Sequence, residues 1–407
     1  METLKFLMVS THFPPHHLGG DAVLVEYLAN DLVRRGHEVH VFYNPGAYEL
    51  LRREKRVAGP THDGSLTRRP YVSRTKRIDP LVALSMGWWR KAQAKLMKIA
   101  QETKPDIIHW HNTRGFIGKP FAISGTTSLY TSHDYSAICP RSNLLKPGMV
   151  LCDKARFCTI CCVRWRKPPQ LWRAGGRRVL RFPDDLIVLS PTEFVAKRLR
   201  QEGVKVHRIL RNFVPDYGKD FQRKDSIDDS IIYLGMLEKH KGVVTLLDAF
   251  AMSKETQGFR LYMIGEGSLK ESLRERVTRD RLNQRVEIPG FLSRGELENL
   301  RRNAVAQVIP SVWYENAPLV ALEGLSLGIP ILASDIGGLP EIVGGKSGGD
   351  TFRPGDSEQL ADLLTSTWRN RHELEERRRM ARKRYEGNFT PDIHYAEYMR
   401  IIGETQG

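Results

Sequence analysis

The 407-residue chain carries 63 Lys+Arg against 47 Asp+Glu, a net charge of +16, and 41% hydrophobic residues, enough for two domains with separate cores. No apolar run is long enough to cross a bilayer and no charged segment precedes a long apolar one at the N-terminus, so neither a membrane span nor a secretory signal is expected. Residues 1–182 hold 30 basic and 13 acidic residues, net +17, while the remainder is net −1, which implies that the first half faces something anionic.

In chain order, the apolar runs alternate with amphipathic stretches, as in α/β proteins. The predicted strand LKFLMVS leads through THFPPHHLGGDAV into the predicted helix DAVLVEYLANDLVRRG, capped by Asp21 and ended by Gly36. Gly19 and Gly20 at the helix entrance let the backbone approach a ligand. This is not the GxGxxG dinucleotide fingerprint, so hydride chemistry gains little support. The predicted strand in DIIHWHN places His109 and His111 at its carboxyl edge, and LYTSHDYSAICP does the same for His133 and Asp134. In open α/β sheets that edge is where ligands bind.

All five cysteines fall in one window, Cys139, Cys152, Cys158, Cys161 and Cys162. Cys158-x2-Cys161 has metal-ligand spacing, and Cys139 and Cys152 would complete a four-thiolate structural zinc site; the alternative is free thiols in a variable insertion, 139–182. This window lies in the strongest basic run, from Arg141 through Lys154, Arg156, Arg164, Lys167, Arg177 and Arg178 to Arg181, with Trp165 and Trp172 interleaved. With the apolar-basic segment around Trp88 and Trp89, it suits an anionic membrane surface. Nucleic acid would also be attracted, but no recognition module is present and none is expected as a partner.

After the linker ILRNFVPD with Asn212, IIYLGMLEKHKG runs from a strand to Lys241 at a helix entrance, where its ammonium can meet a diphosphate. RLYMIGEGSLKESL and RVEIPGFLSRGELENL place Gly265, Gly290 and Phe291 after two further strands. The buried run VAQVIP then ends at Pro310, and Pro318 is expected in the first turn of the next helix. Glu315 falls in the loop and Glu323 about two turns into that helix. The backbone N–H groups of Asn316, Ala317 and Leu319 suit a phosphate. A carboxylate on either side of a phosphate matches the hydroxyl–phosphate–hydroxyl order of a sugar-nucleotide.

The segment SVWYENAPLVALEGLSLGIPILASDIGGLPEIV resembles the donor-binding signature of retaining family 4 glycosyltransferases. The resemblance implies the α/β GT-B fold: an acceptor-binding Rossmann-like domain over residues 1–212, a nucleotide-sugar-binding one over 213–384, facing across a cleft, and a C-terminal helix, 385–407, crossing back. It implies that Glu315 contacts the donor sugar, Glu323 and Ala317–Pro318 line the ribose and phosphate site, and Gly19–Gly20 approach the diphosphate. It also places His133 at the donor sugar and acceptor; His109, His111 and Asp134, from their strand-edge positions, are candidate acceptor contacts, and Glu315, His133 and Lys241 are the expected catalytic set. The family has Arg where this chain has Met236, so Lys241 carries the phosphate clamp, with Lys239 or His240 as substitutes. The expected function is retaining transfer, by front-face attack, from a nucleotide-diphosphate sugar to a glycan or polyprenyl-linked acceptor at the cytoplasmic leaflet, for cell-surface polysaccharide or glycolipid. No Asp-x-Asp stands at a strand end, so no cofactor is required for catalysis. The competing readings are an idle GT-B scaffold and a nucleic-acid binder using the Cys-rich region.

Overall fold

A computed structural model of the chain describes residues 2–52, 62–73, 75, 78–153, 158–168, 170–173, 179–219, 230–253 and 258–406. Lys154, Arg156, Arg177 and Arg178 of the basic run lie outside the described residues. The chain forms two compact units, residues 1–212 with 394–407, and residues 213–393.

The first unit is built on strands β1 (Lys5–Ser10), β2 (Glu38–Tyr43), β3 (His62–Asp63), β4 (Leu66–Pro70), β5 (Ile107–Trp110) and β6 (Thr127–Thr131). A two-stranded hairpin, β7 (Leu145–Lys146) with β8 (Val150–Leu151), stands apart from the sheet, which is completed by β9 (Leu186–Ser190) and β10 (Arg208–Ile209). The strand order is β10-β9-β6-β5-β1-β2-β4-β3, parallel except for β3. Phe6, Leu7, Met8 and Val9 are all fully buried, the continuous apolar run that a strand covered on both faces requires. Because β1, β5 and β6 run parallel in register, their carboxyl ends bring Ser10, His111 and His133 to one edge.

The Gly20–Arg34 helix starts from Gly19 in extended backbone with no side-chain cap. Asp21 therefore sits inside the first turn, not at the cap, and accepts from Asn112 Nδ2 at 3.1 Å. Gly36 ends the helix in left-handed conformation, φ 89°, as the sequence indicates.

The second unit carries β11 (Ser230–Leu234), β12 (Arg260–Ile264), β13 (Val286–Gly290), β14 (Ala304–Ile309), β15 (Ile331–Ser334) and β16 (Gly349–Phe352), in the all-parallel order β13-β12-β11-β14-β15-β16. Its core gathers Ile231, Leu246, Phe250, Leu261, Val305 and Leu332.

The returning segment begins at His394, not at Tyr385. Tyr385 belongs to the Leu374–Glu386 helix, and its hydroxyl donates to Val214 O at 3.0 Å within the second unit. A separate helix, Pro391–Gln406, follows the break. Its Tyr398 is fully buried in the first unit, with the hydroxyl 2.7 Å from His109 Nδ1, and His394 Nδ1 lies 2.7 Å from Arg211 O. Among the described residues no helix is long and apolar enough to cross a membrane.

Candidate active site

In the second unit, the carboxyl ends of three adjacent strands are glycines with positive φ: Gly235, Gly265 and Gly290. They are stitched to one another. Gly235 N–H donates to Ile264 O at 3.1 Å and Gly265 N–H to Gly290 O at 3.0 Å. A Cβ on Gly265 would fall 1.9 Å from Gly235 O, so the three loops are packed backbone on backbone. Phe291, next in sequence, is 78% exposed.

The Lys239–Lys241 turn follows β11, and Gly242 closes it with φ 69°. A Cβ at Gly242 would meet Pro310 O at 1.7 Å, so the turn lies directly on the end of β14. That contact delivers Lys241 to Glu315, with Nζ 2.7 Å from Oε1. Ser311 Oγ (2.6 Å) and Trp313 Nε1 (2.7 Å) donate to the same oxygen. The Lys241 ammonium also lies 4.9 Å from the Trp313 ring centroid. Burial works to raise the Glu315 carboxyl; the Lys241 charge and these hydrogen bonds outweigh it and hold the group below its ordinary range. Glu315 is thus a buried, ionised carboxylate.

A second brace was not visible in the sequence. Gly338 N–H donates to Glu315 O at 2.7 Å, and a Cβ on Gly337 (φ 65°) would lie 2.2 Å from that oxygen. The IGG turn after β15 therefore fixes the Glu315 backbone, and only glycine admits the approach. Ser311, Trp313 and Arg301 were likewise unassigned. Arg301 donates to Glu323 Oε2 at 2.6 Å, with both side chains largely buried. Its only sequence signal is an apolar-spaced position in an otherwise charged helix.

Pro318 stands at the helix cap and Leu319 is the first helical residue, one position later than expected, because Pro318 has extended ψ, 124°. Asn316 and Ala317 form the preceding loop. Met236 is 48% exposed and contributes its carbonyl, which accepts from Tyr233 Oη at 2.7 Å. Of the two substitutes, His240 packs edge-on against Trp313 at 4.9 Å and its carbonyl accepts from Val312 N at 3.0 Å. It supports the turn, and Lys239 is exposed.

In the first unit, His111 Nδ1 lies 2.9 Å from His133 Nε2, and the rings stack at 5.2 Å. His109 is not an acceptor contact. It is 1% exposed, and its two nitrogens meet Tyr398 Oη (2.7 Å) and Thr131 Oγ1 (2.8 Å). Burial, then neighbouring imidazoles, hold His109 and His111 well below the ordinary value, so both are neutral. His111, 2% exposed, stands behind His133. Asp134 caps the Tyr135–Ala137 turn through a 2.7 Å bond from Ser136 N and lines a cavity with Gly19. Gly19 and Gly20 are exposed.

Cys139, Cys152, Cys158 and Cys161, with Cys162, line a separate cavity of about 310 Å³. No three His, Cys, Asp or Glu side chains among the described residues are gathered as ligands for an ion.

Two parallel Rossmann-like units of this kind are the architecture of the GT-B fold. The family described as glycosyl transferases group 1 matches residues 219–386, and glycosyltransferase family 4 matches residues 18–216. The glycogen synthase of Mycobacterium tuberculosis is 34% identical over 403 residues, covering 95% of this chain and 91% of that protein. The chain belongs to glycosyltransferase family 4. Among solved structures, sucrose-phosphate synthase from Thermosynechococcus elongatus superposes with TM-score 0.70 at 17% identity, covering 98% of each chain. Anabaena HepE, in complex with UDP and glucose, superposes with TM-score 0.68 at 16% identity, covering 98% of this chain and 100% of that one.

Proposed function

We propose that this glycosyltransferase takes its sugar from a nucleotide-diphosphate donor and transfers it with retention to a glycan or lipid-linked saccharide. The observation that carries this reading is the buried Glu315 carboxylate, kept ionised by Lys241 beside three glycine strand ends. Glu315 Oε1 is already engaged by three donors, so Oε2 is the oxygen offered to a donor-sugar hydroxyl. The Lys241 ammonium has three N–H groups. One meets Glu315, and the others meet the diphosphate as its charge grows in the transition state. Glu323, oriented by Arg301, takes the ribose hydroxyls, and the backbone at Gly265 and Gly290, with Phe291, borders the base.

A carboxylate whose basicity is lowered by three donors is a poor covalent nucleophile, which favours front-face attack by the acceptor over a glycosyl-enzyme. The bound UDP and glucose of Anabaena HepE support a nucleotide-sugar donor. The +17 charge of residues 1–182 and the exposed Ile160 and Val163 beside Arg164 support peripheral attachment to an anionic leaflet, where cell-surface glycans begin.

The test is nucleotide release by the full chain from a panel of nucleotide-diphosphate sugars, with and without glycan or polyprenyl-linked acceptors, with the anomer of the glycosylated acceptor read by proton NMR. Release with the donor's anomeric configuration is expected. Release with inversion overturns retention. Tight donor binding without release favours the idle scaffold that exposed Met236 suggests, and no binding to any donor overturns the reading.

A further inference from the structure

Glu315 and Glu323, assigned to the donor sugar and ribose, lie in the second unit, and the first unit has a cavity of its own, about 360 Å³, lined by Gly19 and Asp134. Its walls differ in chemistry. Part of the lining is polar: Thr11, His12, Asp21, Asn112, Arg114 and Asp134. Part is aliphatic, with Leu50 and Leu51 from the Pro45–Arg52 helix and Leu81 and Leu84 from the Asp79–Met86 helix. Leu51 is 62% exposed and Leu81 43% exposed. Two exposed leucines from separate helices facing one cavity are not explained by core packing, and such a patch marks a site for an apolar ligand.

The charge at the polar end specifies the other half of that ligand. The lining holds two carboxylates, Asp21 and Asp134, one guanidinium, Arg114, and the His12 imidazole, which burial holds below its ordinary value. Asp21 is oriented by Asn112 at 3.1 Å and Asp134 by Ser136 N at 2.7 Å, while Arg114 donates to Ser142 Oγ. A net negative set of oriented acceptors suits neutral hydroxyl groups and disfavours a diphosphate placed among them.

We propose that the acceptor is a neutral glycoside with an apolar aglycone: the sugar sits against Asp21, Asn112 and Asp134, and the aglycone runs along Leu50, Leu51, Leu81 and Leu84. This rests on the glycosyl-transfer reading above and names its second substrate.

Titration calorimetry on the full chain, with methyl, butyl, hexyl and octyl β-D-glucopyranosides below their micellar concentrations, tests the proposal. Each buried methylene strengthens binding about fourfold, so with about two to three of the added methylenes buried the octyl glycoside is expected to bind roughly thirtyfold more tightly than the methyl one. In the Leu51→Ser, Leu81→Ser double variant the chain-length dependence should flatten by about tenfold, while nucleotide-diphosphate affinity and thermal midpoint stay as in the wild type. Both leucines are largely exposed, so the fold tolerates the change. Equal affinity across the series overturns the proposal, and so does an unchanged gradient in the double variant, which marks general adsorption. A flat gradient with normal donor turnover removes this inference alone; a steep gradient without donor turnover leaves the cavity assigned and removes the donor reading.

Discussion

At the scale of single residues, the Lys241–Glu315 pair matters most because each group makes the other tolerable. Glu315 is 5% exposed. A carboxylate so buried is stable in ionised form only with a cation and hydrogen bonds in contact. Lys241→Met is therefore expected to destabilise the fold by about 3 kcal/mol at neutral pH, measured by urea denaturation. The sign of the pH dependence follows. In the wild type the Glu315 carboxyl is depressed below 4.5, so its contribution is complete above that value and is lost as pH falls through the folded value. In the variant, burial without Lys241 raises the carboxyl, and the group is protonated as pH drops toward 4.5. The stability gap between the two proteins should thus be widest at pH 7 and narrow on acidification; a gap independent of pH would contradict the assignment. Tyr398→Phe is a second residue-scale case. It leaves His109 Nδ1 without its 2.7 Å partner in a buried site, which should cost about 2 kcal/mol by the same measurement.

At the scale of elements, the site is made by strand ends and the glycines that let neighbouring loops touch. Gly337→Ala puts a Cβ 2.2 Å from Glu315 O and demands φ 65° of alanine. The expected result is a stability loss of about 2 kcal/mol and a fall in kcat of about tenfold or more with KM little changed, read in steady-state nucleotide release. The sequence made the elements themselves legible. The apolar run Phe6–Val9 and the run Ala304–Ile309, apolar but for the buried Gln307, mark strands buried on both faces, and Glu315 and Glu323 with the loop between them could be placed on a strand-loop-helix by spacing alone. Cross-chain contacts were not legible. Nothing local says that Gly337 packs on Glu315, that Arg301 reaches Glu323, or that His109 is consumed by Tyr398 from a helix 289 residues away. Asp21 was misread as a cap because Gly19 already supplies the extended backbone that a cap requires. Periodicity reports which face is buried, not which partner buries it.

At the scale of the whole molecule, charge and chain reversal are the two features with consequences. The first half carries all of the net positive charge, and the exposed Trp88, Ile160 and Val163 give it apolar contacts as well. The protein should co-sediment with phosphatidylglycerol vesicles and not with neutral ones, and raising salt from about 0.1 M to about 0.5 M should release most of it as the screening length shortens. Equal binding to neutral vesicles would contradict an electrostatic attachment. The reversal, by which His394–Gly407 joins the unit formed by residues 1–212, was anticipated in kind from the family resemblance. Its starting point was not: Tyr385 bonds to Val214 in the second unit and His394 to Arg211 in the first, partners that lie far away in the sequence.

The most direct test of the whole account compares nucleotide release from the preferred donor by the wild type with that of Glu315→Ala and Lys241→Ala, each checked for an intact thermal transition. Loss of one preorganised charged group, Lys241 at the developing diphosphate or Glu315 at the donor sugar, is worth about a hundredfold or more in kcat, and both folded variants should show it. Release by either variant within about threefold of the wild type would contradict the claim that this buried pair operates the transfer.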